Sequence, residues 1–300
     1  MAVFVTGASG FVGSELVRAL AARGFGVRCF NGTGHPISGA DGGEPSPDRL
    51  GDIASIERAL SGADTILHLG AAANGFDPPE LTRLNHRGTV NLVEAARRQG
   101  VKRMVLLSAL GANPTKSTPL AYSKWLAEET IKRSGLDFTV LRSSVIVGAG
   151  DRLLDPLIRH LRRRPVLPLP GFGRIRIQPV WVGDVVRCLM ACLERRDSVG
   201  RTYAIGGPEI LTYRDLVRRL AKKLGTPRLF LPFPLWGYRR VMNRHHSHSF
   251  TIIWECSASG RDSVTPHDAV HQAFHFLPRP LDEVAAVPPF EQGERPRSST

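Results

Sequence analysis

Three glycines near the start of the chain constrain it more than anything else. Val3-Phe4-Val5-Thr6-Gly7-Ala8-Ser9-Gly10-Phe11-Val12-Gly13 sets Gly-x-x-Gly-x-x-Gly between a short apolar run and a helical pattern, Ser14 to Ala22. Glycine permits a tight turn, lets backbone amides approach a ligand, and allows a helix to pack close on its strand. The following helix then presents free N–H groups and a partial positive charge, a suitable seat for an anion. The spacing predicts a pyrophosphate-binding turn and hence a dinucleotide site.

The rest of the first half agrees. Strand patterns at Val3 to Val5, Gly26 to Phe30, near Leu50, at Thr65 to Leu69, Met104 to Leu107 and Thr139 to Leu141 alternate with helical patterns at Ser55 to Leu60, Arg87 to Gln99 and Tyr122 to Ser134. Such alternation predicts an α/β chain of the Rossmann type, a doubly wound parallel sheet with crossover helices. Asn31 to Asp48, rich in Gly, Pro, Ser and Asp, interrupts the pattern and reads as a loop. From Ser143 the alternation loosens. Helices at Leu153 to Arg163, Val185 to Arg195 and Thr212 to Leu224 follow, the last opened by a capping pair, Thr212 and Asp215. The expected organisation is a dinucleotide-binding domain over 1–142, a smaller substrate or partner region over 143–284 packed on it, and a disordered tail over 285–300.

A chain of 300 residues, 42% hydrophobic and 22% charged, can bury a full core, so disorder of the whole is excluded. A strand beginning at Val3 leaves no room for a signal peptide, and no stretch has the length of a membrane helix, so a cytoplasmic protein is expected. Cys29, Cys188, Cys192 and Cys256 lack Cys-x-x-Cys spacing and predict buried thiols without a disulfide. The net charge of +13 invites a nucleic-acid reading. The basic runs at Arg159 to Arg164 and Arg239 to Arg244 lack interleaved aromatics, however. They predict a solvated basic face for phosphorylated ligands, an acidic protein partner or a membrane surface, which allows a peripheral location at the membrane.

By these motifs the chain resembles the extended or atypical short-chain dehydrogenases/reductases, over about residues 2 to 235. Within them it most resembles the NAD(P)H-binding accessory subunit of respiratory complex I and its bacterial relatives. The resemblance implies that Thr6, Gly7, Ser9, Gly10, Phe11, Val12 and Gly13 form the pyrophosphate turn and that Asp52 and Ile53, within Leu50-Gly51-Asp52-Ile53, contact adenine. It implies that the backbone of His68-Leu69-Gly70-Ala71-Ala72 lines the cofactor through Leu69, Gly70 and Ala71, and that the segment Asn85 to Asn91, led by Asn85, opens the next helix. Ser108 ends strand five where the family keeps a hydroxyl beside the nicotinamide, and Lys124 stands in the setting of the family lysine that holds the nicotinamide ribose. Leu141 to Gly148, Gln178 to Asp184, and Gly206-Gly207-Pro208 with Thr212-Tyr213 resemble later motifs, with Ser143 where a proline is usual.

Cofactor choice is set at the end of strand two, where an acidic residue would hold the ribose hydroxyls of NAD. Phe30-Asn31-Gly32-Thr33 supplies no carboxylate, and Arg28 is near, so NADP(H) is favoured over NAD(H), with Asn31 at the adenosine ribose. Asp52 has a second reading as the cap of the helix at Ser55 to Leu60, compatible with the first.

Active members of this superfamily use Tyr-x-x-x-Lys, whose spacing brings the ammonium beside a phenol that exchanges a proton with substrate. Here Leu120 stands four residues before Lys124, and the nearby tyrosine is Tyr122. Two helical steps turn a side chain by about 200°, so Tyr122 and Lys124 should diverge if both lie within the helix. The first expectation is therefore a protein that binds NAD(P)(H) as a structural or redox-sensing cofactor. The second is an active NADPH-dependent oxidoreductase or nucleotide-sugar epimerase/dehydratase, with an unknown small-molecule substrate and Ser108, Tyr122 and Lys124 assisting. The third is a partner-binding subunit or assembly factor of a membrane complex. His245, His246 and His248 lack further ligands at metal-site spacing and predict no metal. Pro232 to Tyr238 ahead of Arg239 and Arg240 suits core packing or a surface contact, and Arg152, Arg174 and Arg176 suit a phosphate or carboxylate grip or plain exposure.

Overall fold

The central strands of the first half bury both faces, because helices cover the sheet on both sides. A computed structural model describes residues 1–31, 43–45, 50–70, 78–115, 118–225, 227–234, 253 and 262–284. Its strands β1 (Ala2–Thr6), β2 (Gly26–Asn31), β3 (Gly43–Pro45), β4 (Thr65–His68), β5 (Arg103–Ala109) and β6 (Asp137–Ser143) are joined by helices α1 (Phe11–Ala22), α2 (Ile53–Leu60), α3 (Pro78–Thr82), α4 (Gly88–Arg98) and α5 (Pro119–Lys132). A π-helical turn, Arg83–Arg87, links α3 to α4. Successive side chains of a strand point to opposite faces, and the core divides accordingly. Val3 and Val5 of β1 join Leu16, Val17 and Leu20 of α1 in one cluster, whereas Phe4 joins Ile56, Leu60, Leu92 and Ile131 of α2, α4 and α5 in another.

The second half adds β7 (Ile146–Val147), α6 (Leu154–Arg163), β8 (Val166–Pro170), β9 (Arg176–Ile177), β10 (Val180–Trp181), α7 (Val182–Glu194), β11 (Arg201–Ile205), β12 (Leu211–Thr212), α8 (Tyr213–Lys223), β13 (Leu229–Phe233), α9 (Ala269–Phe274) and α10 (Leu281–Val284). The main sheet runs β11-β6-β5-β4-β1-β2-β3, with every pairing parallel. Strand order reverses between β1 and β4, and ligands of open α/β sheets bind in the crevice above such a point. Thr6 pairs with Phe30 on one side and His68 on the other, which places the glycine turn at that crevice.

One expectation changes. The third strand lies at Gly43–Pro45 rather than near Leu50; it is a three-residue edge strand, and edges tolerate the proline. Leu50 is instead a buried turn residue at φ 74°, its carbonyl held by Asn91 Nδ2 at 2.8 Å. The region after residue 143 packs closely on the first. Its β11 completes the main sheet beside β6, and its α7 packs against α1 and contributes Val185, Leu189 and Cys192 to that core cluster. A one-sided edge strand such as Arg201-Thr202-Tyr203-Ala204-Ile205 carries too little apolar alternation to announce itself. The remaining part, α6, α8 and β8, forms a separate cluster around Leu157, Leu161, Leu167, Leu169, Tyr213 and Leu216.

Cys29, Cys188 and Cys192 are buried free thiols, as expected; burial pushes the Cys29 thiol up to about 11 and that of Cys192 up to about 12. Thr212 caps α8, accepting from Asp215 N at 3.1 Å. Ala71, Cys256, the histidines at 245, 246 and 248, the stretch from Trp236 to Arg244, most of the loop at 31–48 and the tail at 285–300 lie outside the described residues. Among the described residues no helix is long and apolar enough to cross a membrane, and no group of His, Cys, Asp and Glu is arranged to hold a metal ion.

Candidate functional site

The glycine turn forms because its backbone leaves no room for side chains. Gly7 has φ +72°, and a Cβ there would stand 2.7 Å from the backbone of Gly70. A Cβ on Gly13 would stand 2.1 Å from Gly7 O and 2.7 Å from Ala8 Cα. Gly10 differs: it has the extended dihedrals of a helix N-cap, φ −76° and ψ 170°, and a Cβ would meet Gly7 O alone, at 3.1 Å. Gly7 and Gly13 are required by the fold itself, whereas Gly10 keeps open the approach to α1. That helix begins at Phe11, three residues earlier than its apolar pattern suggests, so the turn is also its first turn. It has no side-chain cap and no acidic residue in its first turn. The outward N–H groups are an anion seat of the size and polarity of a diphosphate.

Beneath the turn a buried chain of hydrogen bonds joins three elements. Thr89 Oγ1 donates to Asn85 O at 2.6 Å and so accepts from His68 Nε2 at 3.0 Å; His68 Nδ1 then accepts from Thr6 Oγ1 at 2.6 Å, and Thr6 Oγ1 accepts from Gly70 N at 3.1 Å. The Thr89 hydroxyl has one proton to give, which puts a hydrogen on Nε2, and burial keeps the ring neutral, which leaves Nδ1 as the acceptor. Burial, aided by the charge of Lys124, pushes His68 down to about 3. The neutral imidazole locks the end of β1 to β4 and α4 and presses Gly7 against Gly70. No spacing rule joins residues 6, 68, 85 and 89, and the sequence places His68 only in a motif whose backbone lines the cofactor; the one available signal for its side chain was a histidine at the end of a buried strand.

At the other end of the crevice α5 begins on a Thr118 cap, whose Oγ1 accepts from Ala121 N at 3.2 Å. Tyr122 lies inside this helix, its N–H bonded to Thr118 O, so the angular argument applies. The Tyr122 ring stacks on Trp125, three residues on, at 5.8 Å between centroids. Lys124 Nζ instead donates to Leu107 O on β5 at 3.1 Å. Desolvation pushes Lys124 down to about 8, with Glu128 opposing the shift. Tyr122 and Lys124 thus make their contacts on different neighbours, Trp125 and β5, as the two-residue step within a helix predicts.

Ser108 also departs from expectation. Alternation along β5 puts Leu106 and Ser108 on the α5 side, and Ser108 Oγ donates to Glu128 Oε1 at 2.5 Å. Glu128 is fully buried, receives Arg142 Nη2 at 2.6 Å and lies four residues after Lys124. A buried carboxylate needs such partners to remain charged. The hydroxyl expected beside the nicotinamide is therefore committed to this network, and the following residue, Ala109, carries none.

The remaining site residues are distributed as follows. Asp52 is exposed and caps α2, accepting from Ala54 N and Ser55 N at 3.1 Å each; the Ser55 hydroxyl bond, then the backbone bonds and Arg58, hold its carboxyl below the usual range. Ile53 opens α2, and Asn31 ends β2. Asn85 Nδ2 donates to Ser123 Oγ at 3.0 Å, tying the π turn to α5. Arg28 Nη1 donates to Ser61 O at the C-terminal end of α2, three residues along β2 from Asn31. A cavity of about 240 Å³ opens between the N-terminal ends of α2 and α4, lined by Leu50, Gly51, Arg83, Leu84, Arg87 and Asn91. Arg83 and Arg87 are exposed there, four residues apart. Gln178 joins the later motifs, donating through Nε2 to Gly207 O at 2.7 Å and accepting from Thr265 N at 2.8 Å. Arg176 pairs with Asp262 at 2.6 Å and Arg174 lies over Phe172, so neither converges with Arg152 on a common grip.

A family model described as the NAD dependent epimerase/dehydratase family matches residues 3–206, from the glycine turn through β11. The chain belongs to that family. Its relatives differ in what their names say they do. It is 29% identical to the mitochondrial NADH dehydrogenase (ubiquinone) 1 alpha subcomplex subunit 9 of Arabidopsis thaliana, over 77% of this chain and 65% of that protein, so the chain spans about two thirds of that relative's length. It is 28% identical to the 2-alkyl-3-oxoalkanoate reductase of Stenotrophomonas maltophilia (strain K279a), over 76% of this chain and 77% of that one. Among solved structures, MoeE5 in complex with UDP-glucose and NAD is 27% identical, with a TM-score of 0.68 over 78% of this chain and 85% of that chain. The family member therefore has a Rossmann-like nicotinamide dinucleotide site, and the resemblance to the complex I accessory subunit holds.

Proposed function

We propose that this family member holds NAD(P)(H) as a structural or redox-sensing cofactor rather than as a substrate turned over at speed. The observation that carries this reading is the divergence on α5: Lys124 points to β5 while Tyr122 stacks on Trp125, and Leu120 occupies the position one helical turn before the lysine. The residues fit the cofactor. Gly7, Gly10 and Gly13 with the first turn of α1 would hold the pyrophosphate, Asp52 and Ile53 would border adenine, and Lys124 would reach the nicotinamide ribose. A bound nicotinamide supplies a hydride donor or acceptor; a phenol to exchange the accompanying proton is what α5 does not place beside Lys124.

Lys124→Met is expected to weaken dinucleotide binding about tenfold, the cost of a charge-assisted hydrogen bond. Tyr122→Phe should leave affinity and any turnover within twofold. Because Lys124 titrates near 8, the wild-type affinity should fall as pH rises through about 8 and stay flat in the Met variant. Calorimetric titration with NADPH and NADH between pH 6 and 10 tests all three. Loss of a measurable turnover in Tyr122→Phe would instead establish the second reading, an active reductase or nucleotide-sugar epimerase/dehydratase, which the names of the Stenotrophomonas relative and the MoeE5 complex favour.

For the cofactor, NADP(H) is favoured over NAD(H). The support is a sequence without a carboxylate at the end of β2 and two cationic side chains, Arg83 and Arg87, in the cavity beside Asp52. Arg83→Gln with Arg87→Gln is expected to reduce the NADPH-to-NADH affinity ratio about tenfold, with little effect on NADH; an unchanged ratio would remove these arginines from cofactor choice. A protein partner in a membrane complex, the role named for the Arabidopsis relative, is the third reading.

A further inference from the structure

No Asp or Glu occurs between Asp155 and Asp184, nor between Asp215 and Glu255, although both segments are rich in arginine and lysine. The fold lays these two segments against each other. Helices α6 and α8 pack together, each ends in basic residues, and each leads into a strand of the same small parallel sheet, β8 and β13. Two hydrogen bonds join the helix-to-strand junctions: Arg228 Nε donates to Leu161 O at 2.6 Å and Leu229 N donates to Pro165 O at 3.0 Å. Arg162, Arg163, Arg164, Lys222, Lys223 and Arg228 thereby collect at one end of the sheet. Arg162, Arg163, Arg164 and Lys222 have no carboxylate partner among the described residues.

The sheet itself has two unlike faces. Leu167, Leu169 and Phe230 point into the core cluster, whereas Leu229 and Leu231 stand 58% and 46% exposed, aligned in register with half-buried Val166 and Pro168. At the far end of this apolar strip Phe172 is 45% exposed, with the Arg174 guanidinium over its ring. A five-residue strand spans about 16 Å, so the strip is flat and short, with a dense cation cluster at one end and a cation at the other.

We propose that this face docks on an anionic phospholipid surface, the aliphatic side chains entering the headgroup boundary and the arginines and lysines meeting lipid phosphates. Charge complementarity identifies the partner, and the aliphatic strip distinguishes it from nucleic acid, which would call for stacking aromatics along a groove. The face lies outside the dinucleotide crevice and is independent of the proposed function.

Flotation of the full chain with vesicles of phosphatidylcholine alone and of phosphatidylcholine with 30% phosphatidylglycerol, at low and high salt, tests it. The wild type is expected on the anionic vesicles, at least tenfold tighter than on neutral ones, and released by salt. Arg162→Gln, Arg163→Gln, Arg164→Gln and Lys222→Gln combined should weaken this binding on the order of a hundredfold, and Leu229→Ser with Leu231→Ser on the order of tenfold. NADPH affinity and Tm should match the wild type in both variants. Absence of a preference for the anionic vesicles, or full binding by the charge variant, overturns the proposal. So does binding that the charge variant loses and the leucine variant keeps, together with equally tight binding to heparin, since that pattern identifies a soluble polyanion as the ligand.

Discussion

Gly10→Asp should abolish dinucleotide binding, by about a thousandfold, while leaving the fold close to its wild-type stability. The opposed outcomes follow from one position. Gly10 already has N-cap dihedrals, and aspartate is among the best N-cap residues, so its carboxylate would bond the free amides at the start of α1 and gain a few tenths of a kcal/mol over glycine. Against this stands the contact of the new Cβ with Gly7 O at 3.1 Å, which a small shift relieves. The net change should lie within about 1 kcal/mol, or a few degrees in Tm for a chain of this size. The same carboxylate fills the seat of the pyrophosphate and places a negative charge against two more, which disfavours binding by several kcal/mol. Gly7→Ala and Gly13→Ala should behave differently, losing fold and binding together, because their Cβ atoms would collide with backbone. Thermal melts and NADPH titrations of the three variants distinguish the cases; a Gly10→Asp protein that still binds NADPH would mean that the anion does not sit at α1.

Acidification should remove a large part of the stability through one side chain. His68 has an ordinary unfolded pKa near 6.5 and a folded one of about 3. A depressed folded pKa means that the unfolded chain takes up a proton first. The stabilising contribution is therefore complete above about pH 6.5 and is lost progressively as pH falls toward about 3. The shift sets an upper bound of about 5 kcal/mol on that loss, at 1.36 kcal/mol per unit. Protonation has this consequence because the ring is buried beside the Lys124 charge, and an imidazolium would also turn the Nδ1 acceptor of Thr6 Oγ1 into a donor. His68→Gln is expected to be less stable than wild type at pH 7 by about 2 kcal/mol, and its stability should vary less between pH 6.5 and 4, so that the two curves converge. Urea denaturation across that range measures both slopes. Parallel curves would exclude His68 as the acid-sensitive group.

The sequence was legible where a rule acts between near neighbours. The three glycines, the periodicity of α1, α2, α4, α5 and α8, the Thr212 cap and the divergence of Tyr122 from Lys124 are all set within one or two helical turns, and all stand in the structure. The parallel sheet followed from alternation, because a strand covered on both faces must be apolar throughout. Edge strands escaped notice for the converse reason: Gly43–Pro45 and Arg201–Ile205 have one neighbour each and little apolar pattern to show.

Tertiary structure alone decided the rest. Ser108 stands where a hydroxyl was expected beside the nicotinamide, yet β5 turns it toward Glu128, fourteen residues before its other partner Arg142 and on a different element. Arg28, close to the end of β2 in sequence, is drawn by α2 to the Ser61 carbonyl. The neutral His68 chain and the union of two acid-free segments into one basic face depend on residues dozens of positions apart. Local sequence determines which backbone shapes are affordable; which buried polar groups must find each other, and which charges end up side by side, is determined by packing, because desolvated groups take whatever partners the assembled layers bring within reach.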